Sequence, residues 1–81
     1  MYILTTKKDP YYSKKPATTK SGLFWAALQA KQKQGKAYAT PVEFIEHVIT
    51  PAYNFAGFVR STDPKSRWFL EFLECGTIQE V

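Results

Sequence analysis

The side chains that could catalyse a reaction or bind a metal are few, and one small group of them falls on a predicted helix. Glu43 and His47 lie four positions apart, so they meet on one helix face, and Glu46 lies beside them. A zinc site needs at least three protein ligands, and the helical zinc motifs use two histidines, whereas this chain has one. We therefore interpret the group as a solvated helix face, and we expect no metal and no other cofactor.

Cys75, the single cysteine, could act as a nucleophile with His47 as its base if the fold placed the two side chains in contact. Nothing in the sequence brings these two residues together. The sequence also lacks a phosphate-binding glycine loop, a dinucleotide fingerprint and a paired-carboxylate motif. Cys75 lies at the edge of an apolar stripe, where a small core residue is the simpler interpretation. We therefore expect that the protein is not an enzyme.

The cysteine count and the N-terminal sequence indicate a cytoplasmic protein. One cysteine forms no internal disulfide, which is typical of a reducing compartment. The N-terminal sequence MYILTTKK has its apolar residues ahead of its charges, which is the reverse of a secretory signal. The longest apolar run, residues 23–28, is too short to span a bilayer, so we expect no membrane partner.

Positive charge is concentrated in the first half of the chain. Residues 1–36 contain eight lysines and one acid, Asp9, for a net charge of +7. Residues 37–81 contain three basic and six acidic residues, for a net charge of −3, which brings the whole chain to +4. This asymmetry indicates an anionic partner for the first half, and a lysine surface that serves only solubility is an equally good interpretation.

Lysines and tyrosines of the basic half are the candidate partner-binding residues. Tyrosine is enriched at protein interfaces, and a lysine-rich rim steers association with an acidic protein surface. Lysine also neutralises phosphates and tyrosine stacks on bases, but this half has no arginine, the usual bidentate reader of guanine. The candidates are Lys7, Lys8, Tyr11, Tyr12, Lys14, Lys15, Lys20, Lys31, Lys33, Lys36 and Tyr38.

Two functions fit these residues. In the first, a non-enzymatic regulatory or inhibitor-type binding protein docks on an acidic surface of a larger protein or nucleoprotein complex, with lysines for steering and tyrosines as anchors. Regulators and inhibitors of phages and mobile elements are commonly small, cofactor-free domains of this type. The alternative is non-specific binding of DNA or RNA by the same lysines and tyrosines. The sequence leaves the oligomeric state open.

Helix punctuation predicts a mainly α fold. Thr40-Pro41 and Thr50-Pro51 each place an N-cap residue before a proline at the first helical position, and Asp63-Pro64 repeats the pattern. Glu43 completes a capping box with Thr40. We predict helices over residues 21–35, 41–49, 51–60 and 64–75, with Ser21 as the first cap and with Gly35 and Gly76 as terminators.

The first 20 residues are predicted to form a basic arm or loop attached to a helical domain of residues 21–81. Residues 1–6 are interpreted as a short strand or an extended segment, and no second convincing strand is recognised. Residues 36–40 are interpreted as a linker, and residues 77–81 as a frayed tail or a short extended addition. The expected fold is a single compact bundle of three to four short helices with an extended basic N-terminal arm.

Overall fold

A three-stranded antiparallel sheet joins both ends of the chain in the computed structural model, which describes residues 1–58 and 65–81. The central strand β1 (Tyr2–Leu4) pairs with β2 (Ala37–Tyr38) on one side and with β3 (Ile78–Glu80) on the other. The prediction that the first strand has no convincing partner is therefore wrong. Strands of two or three residues are too short for an alternating pattern to identify them in the sequence.

Helices make up most of the remaining structure. The prediction of a compact, mainly helical protein is confirmed, with the small sheet as an addition. A helix bundle with an extended arm is not confirmed, because β1 lies in the middle of the sheet. The helical elements are a short 3-10 turn (Tyr12–Lys14), α1 (Lys20–Gln32), α2 (Pro41–Phe44), a π-helical segment (Ile45–Ile49), α3 (Thr50–Phe55) and α4 (Lys65–Cys75).

The chain passes from α2 to α3 without a break, although the sequence predicts that one helix ends and another begins at Thr50-Pro51. A proline inside a regular α-helix has no N–H to donate, and its ring collides with the carbonyl four residues back. Here the π-helical segment precedes Pro51, and the Thr50 N–H donates to the carbonyl of Ile45, five residues back. We attribute the continuity to this wider turn. The helix predicted over residues 51–60 is too long, because α3 ends at Phe55 and Gly57 has a positive φ of 85°. The predicted start at Asp63-Pro64 lies outside the described residues.

Two threonine caps set the beginnings of α1 and α2. Thr40 Oγ1 accepts the Glu43 N–H at 3.2 Å, as the capping box predicts. The Glu43 carboxylate accepts the Ala39 N–H at 3.3 Å, one residue before the expected N–H. Helix α1 begins before the predicted Ser21, because Thr19 Oγ1 accepts the Gly22 N–H at 3.1 Å. Gly35 and Gly76 both have positive φ, as expected for residues that end helices.

Aromatic rings form the core between α1, α4, the π-helical segment and the sheet. Phe24, Phe44 and Phe72 are completely buried. The rings of Phe24 and Phe72 stack 6.1 Å apart and join α1 to α4, and Phe44 meets Phe69 at 5.6 Å. Tyr2 packs edge-on against Phe69 at 5.2 Å, which attaches the sheet to α4. Aromatic pairs of this kind add about 0.5–1.5 kcal/mol each to the gain from area burial.

The two threonines that precede prolines should differ in their effect on stability. Thr40→Ala removes a cap hydrogen bond, so we expect the free energy of unfolding to fall by about 1 kcal/mol. Thr50→Ala should leave it unchanged or slightly higher, because Thr50 lies within the continuous helical path and alanine is the better helix former. Urea unfolding followed by circular dichroism measures both values. Equal losses would mean that a helix begins at Thr50, as the sequence predicts.

Candidate partner-binding surface

Tyr12 fixes the basic N-terminal segment to the body of the protein. Its ring lies 5.6 Å from Phe24, 5.7 Å from Phe72 and 6.4 Å from Trp68, measured between ring centroids. The side chain is half-buried by these contacts. Tyr12, which the sequence analysis treats as an anchor for a partner, therefore packs against the core of its own chain.

The surroundings of the Tyr12 hydroxyl disfavour its ionisation. Burial, and then the negative charge of Glu71, raise the pKa of Tyr12 to about 12. Smaller contributions in the same direction come from Tyr11 and Asp9, and a hydrogen bond with Trp68 acts in the opposite direction. Tyr12 is therefore a neutral packing residue at physiological pH.

Asp9 holds the backbone on either side of the docked ring. Its Oδ1 accepts the N–H groups of Tyr11 and Tyr12 at 2.8 and 2.7 Å. Its Oδ2 accepts a hydrogen bond from Cys75 Sγ at 3.6 Å. Asp9 is the single acid of the first 36 residues, and it is buried, with both carboxylate oxygens hydrogen-bonded. The Asp9-Pro10 pair predicts a helical turn through Tyr11 and Tyr12, and a 3-10 turn follows it at Tyr12–Lys14.

Cys75 belongs to the same polar network and not to a site with His47. Its Sγ lies 3.2 Å from Thr77 Oγ1, and that hydroxyl donates to the carbonyl of Lys7 at 3.0 Å. His47 instead stacks on Tyr38, with ring centroids 5.6 Å apart. These hydrogen bonds connect residues 7–12 to the end of α4, and Cys75 is one of the residues that form them.

Tyr11 is the predicted anchor that the structure leaves at the surface. It is 57% exposed, and its ring meets Tyr12 edge-on at 4.9 Å. The Lys15 ammonium lies 4.3 Å from the centre of the ring. The side chain is thus exposed and also held by two neighbours. We call Tyr11, Lys14 and Lys15 the Tyr11 surface.

Gly22 positions the loop that carries this surface onto α1. A Cβ at Gly22 would lie 1.9 Å from the carbonyl oxygen of Pro16, so only glycine allows this approach. The same carbonyl accepts the Thr19 N–H at 3.0 Å and the Thr19 hydroxyl at 2.8 Å. Gly22 had no role among the residues selected from the sequence, although a glycine inside a predicted helix is a recognised sign of close packing.

The other predicted residues do not gather on one face. Lys31 lies along a groove between α1 and α3, whereas Lys33 lines a different cleft beside Thr5 and Thr6. Tyr38 is buried at 8% exposure in contact with Phe44, so it is not available as a surface anchor. The remaining candidate lysines are all exposed: Lys7, Lys8, Lys20 and Lys36.

Within residues 1–58 and 65–81, no group of three or more His, Cys, Asp or Glu side chains is arranged to hold a metal ion. The helices of the same residues include none with the length and apolar character needed to cross a membrane.

Comparison with known proteins gives no match: no protein family, no curated protein and no solved structure resembles this chain significantly.

Gly22→Ala should destabilise the protein although alanine favours helices. The added methyl group collides with the Pro16 carbonyl, and a clash of this size typically costs about 1–3 kcal/mol. Ser21→Ala, in the same helical turn, is the matched control and should have a small effect. Urea unfolding gives both values, and backbone NMR shifts report whether residues 14–19 move. A stabilised Gly22→Ala variant would contradict the close approach.

The stability of the protein should decline between pH 10 and 12 in part because of Tyr12. The unfolded chain releases this proton near pH 10, whereas the folded chain retains it until about pH 12, so the free energy of unfolding falls across this window. Tyr12→Phe should make the decline shallower, and Tyr11→Phe should change it much less, because Tyr11 is a minor cause of the raised pKa of Tyr12. Urea midpoints measured across the alkaline range test this difference, and identical slopes for all three proteins would contradict it.

Proposed function

We propose that this protein is a non-enzymatic regulatory binding protein that docks on an acidic surface of a larger protein or nucleoprotein complex. The observation on which the proposal depends is the state of Tyr11, which is exposed and held between Tyr12 and Lys15. Buried tyrosines dominate the energy of many interfaces. A tyrosine that is already ordered also loses little side-chain freedom on binding.

Charge near Tyr11 supports an acidic partner. Residues 10–42 contain no Asp or Glu, and the one acid that precedes them, Asp9, is buried. Lys14 and Lys15 are both exposed beside Tyr11. Lysines around an aromatic anchor accelerate association with a negative surface and add less to the final affinity than the anchor does. The proposed roles are therefore steering by the lysines and anchoring by Tyr11.

The contacts of the tyrosines favour a protein partner over nucleic acid. A base stacks on an open ring face, but the Lys15 ammonium covers one face of Tyr11, and Tyr12 contacts its edge. Tyr12 and Tyr38 pack within the protein. A single partly covered ring is a poor platform for successive bases, whereas one anchor in a basic rim suits a protein interface.

Tyr11→Ala should weaken capture of the partner more than the loss of any single lysine. We would immobilise the full chain and apply nuclease-treated extract of the source cells, with capture quantified by mass spectrometry. The expected result is a specific acidic protein whose recovery falls about tenfold with Tyr11→Ala. Lys8→Ala should have a smaller effect. Leu70→Ala, which removes another exposed apolar side chain, should leave recovery unchanged.

A different pattern would contradict this proposal and favour the alternative of non-specific DNA or RNA binding. In that case capture would disappear after nuclease treatment, and each lysine substitution would weaken it by a similar amount. Random-sequence DNA would bind directly, with an affinity that falls steeply with salt, and each lost lysine would lower the salt slope by about one. Fluorescence anisotropy of labelled single- and double-stranded DNA measures both quantities.

A further inference from the structure

A second apolar surface lies away from Tyr11, in the groove between α1 and α3. Its lining residues on α1 include Ala26 and Ala30, which are both exposed, and on α3 Pro51 and Phe55. The groove has a volume of about 320 Å³. Phe55 is 65% exposed and is the most exposed aromatic side chain of the described residues. An exposed phenylalanine beside small residues leaves space for apolar side chains of another molecule.

One lysine lines this groove, and a second lies outside it, beside the residue that follows α3 by three positions. Lys31 lines it directly, and the Lys20 ammonium lies 5.9 Å from the ring of Phe58, just beyond α3. Residues eleven positions apart on an α-helix differ in direction by only about 20°, so Lys20 and Lys31 share one side of α1, and their backbone positions are separated by about 16 Å along the helix axis. Ala27, another lining residue, falls between them on that side. The groove is thus an apolar strip with one positive charge on its α1 wall and a second outside the lining residues, on the same side of α1.

Neither wall of the groove offsets these charges. Helix α1 contains no Asp or Glu, and residues 47–58, which include α3, contain none either. A partner that fills the groove therefore gains by placing negative charges about 16 Å apart, with apolar side chains between them. An amphipathic helix meets both needs, because acids eleven positions apart and apolar residues at i, i+4 and i+7 fall on one side of it.

We propose that the α1–α3 groove binds one acidic amphipathic helix of the partner protein. Phe55 packs against its apolar side, Lys31 pairs with an acid within the groove, and Lys20 pairs with an acid further along the same helix. The proposal rests on the proposed function in one respect, since it takes the partner to be an acidic protein. It involves no residue of the Tyr11 surface, so the two can fail separately.

Charge also argues against a second copy of this chain in the groove. Two copies that packed α1–α3 face to face would bring lysines of like charge together, and the chain as a whole carries +4. Like charges brought together in an interface oppose association. Self-association through Phe55 is therefore an outcome that would overturn the proposal.

The test uses a fluorescein-labelled peptide of about 15 residues, which is roughly 22 Å long as a helix. It carries leucines at i, i+4 and i+7 and glutamates elsewhere on the same side, and a matched control peptide has lysine in place of every glutamate. Fluorescence anisotropy is measured with the full-length protein. We expect the acidic peptide to bind and the basic peptide to bind at least about tenfold more weakly. Analytical ultracentrifugation of the protein alone gives its oligomeric state.

Paired variants separate the groove from general charge and apolar effects. Phe55→Ala should weaken peptide binding about tenfold, whereas Leu70→Ala, which removes a side chain of similar exposure, should not. Lys31→Glu should weaken binding severalfold more than Lys8→Glu, although both change the net charge by the same amount. Tyr11→Ala should leave peptide binding unchanged.

Four results would overturn the groove proposal. The first two are failure of the acidic peptide to bind and equal binding of the acidic and basic peptides. The other two are equal effects of Phe55→Ala and Leu70→Ala, and a dimer that Phe55→Ala dissociates. In each of these cases, partner capture that still depends on Tyr11 would leave the proposed function intact. If partner capture did not depend on Tyr11 and the acidic peptide still bound, the assignment of Tyr11 as the main anchor would be wrong. The groove proposal would then stand.

Discussion

The contact of the Tyr12 ring with Phe24 and Phe72 holds the lysine-rich N-terminal segment in place. Residues 7–20 are polar and interrupted by prolines, so they have little apolar surface of their own to bury. One docked ring, with Asp9 bonded to the backbone on either side of it, supplies the order that this composition lacks. Each aromatic contact contributes about 0.5–1.5 kcal/mol, and a buried carboxylate becomes tolerable when its oxygens are hydrogen-bonded.

This attachment has a direct consequence for binding. A flexible arm would lose conformational freedom on meeting a partner, whereas Tyr11 and Lys15 already face each other in the free protein. The groove between α1 and α3 is also present in the free protein, where mostly small residues of the two helices line it. The proposed interface therefore combines two rigid elements, an aromatic anchor and an apolar groove, with mobile lysine side chains that supply long-range attraction.

Sequence reasoning succeeded where a local rule determines the structure, and it failed where distant segments meet. The Thr40 cap and the glycines that end α1 and α4 follow from hydrogen bonding and backbone freedom within one helical turn. The break expected at Pro51 did not occur, because the preceding turn widened into a π-helix. The sheet was missed because β2 and β3 are recognisable as strands only once β1 lies between them.

The candidate site shows the same division. The sequence by itself determined the excess of lysine in the first half, the absence of acids from residues 10–42 and the helical character of most of the chain. Only the tertiary structure decided that Tyr12 and Tyr38 pack inward, that Tyr11 stays exposed and that Lys31 and Lys33 line different clefts. The physical reason is that composition fixes which side chains can bind, whereas burial against residues distant in sequence fixes which of them remain available.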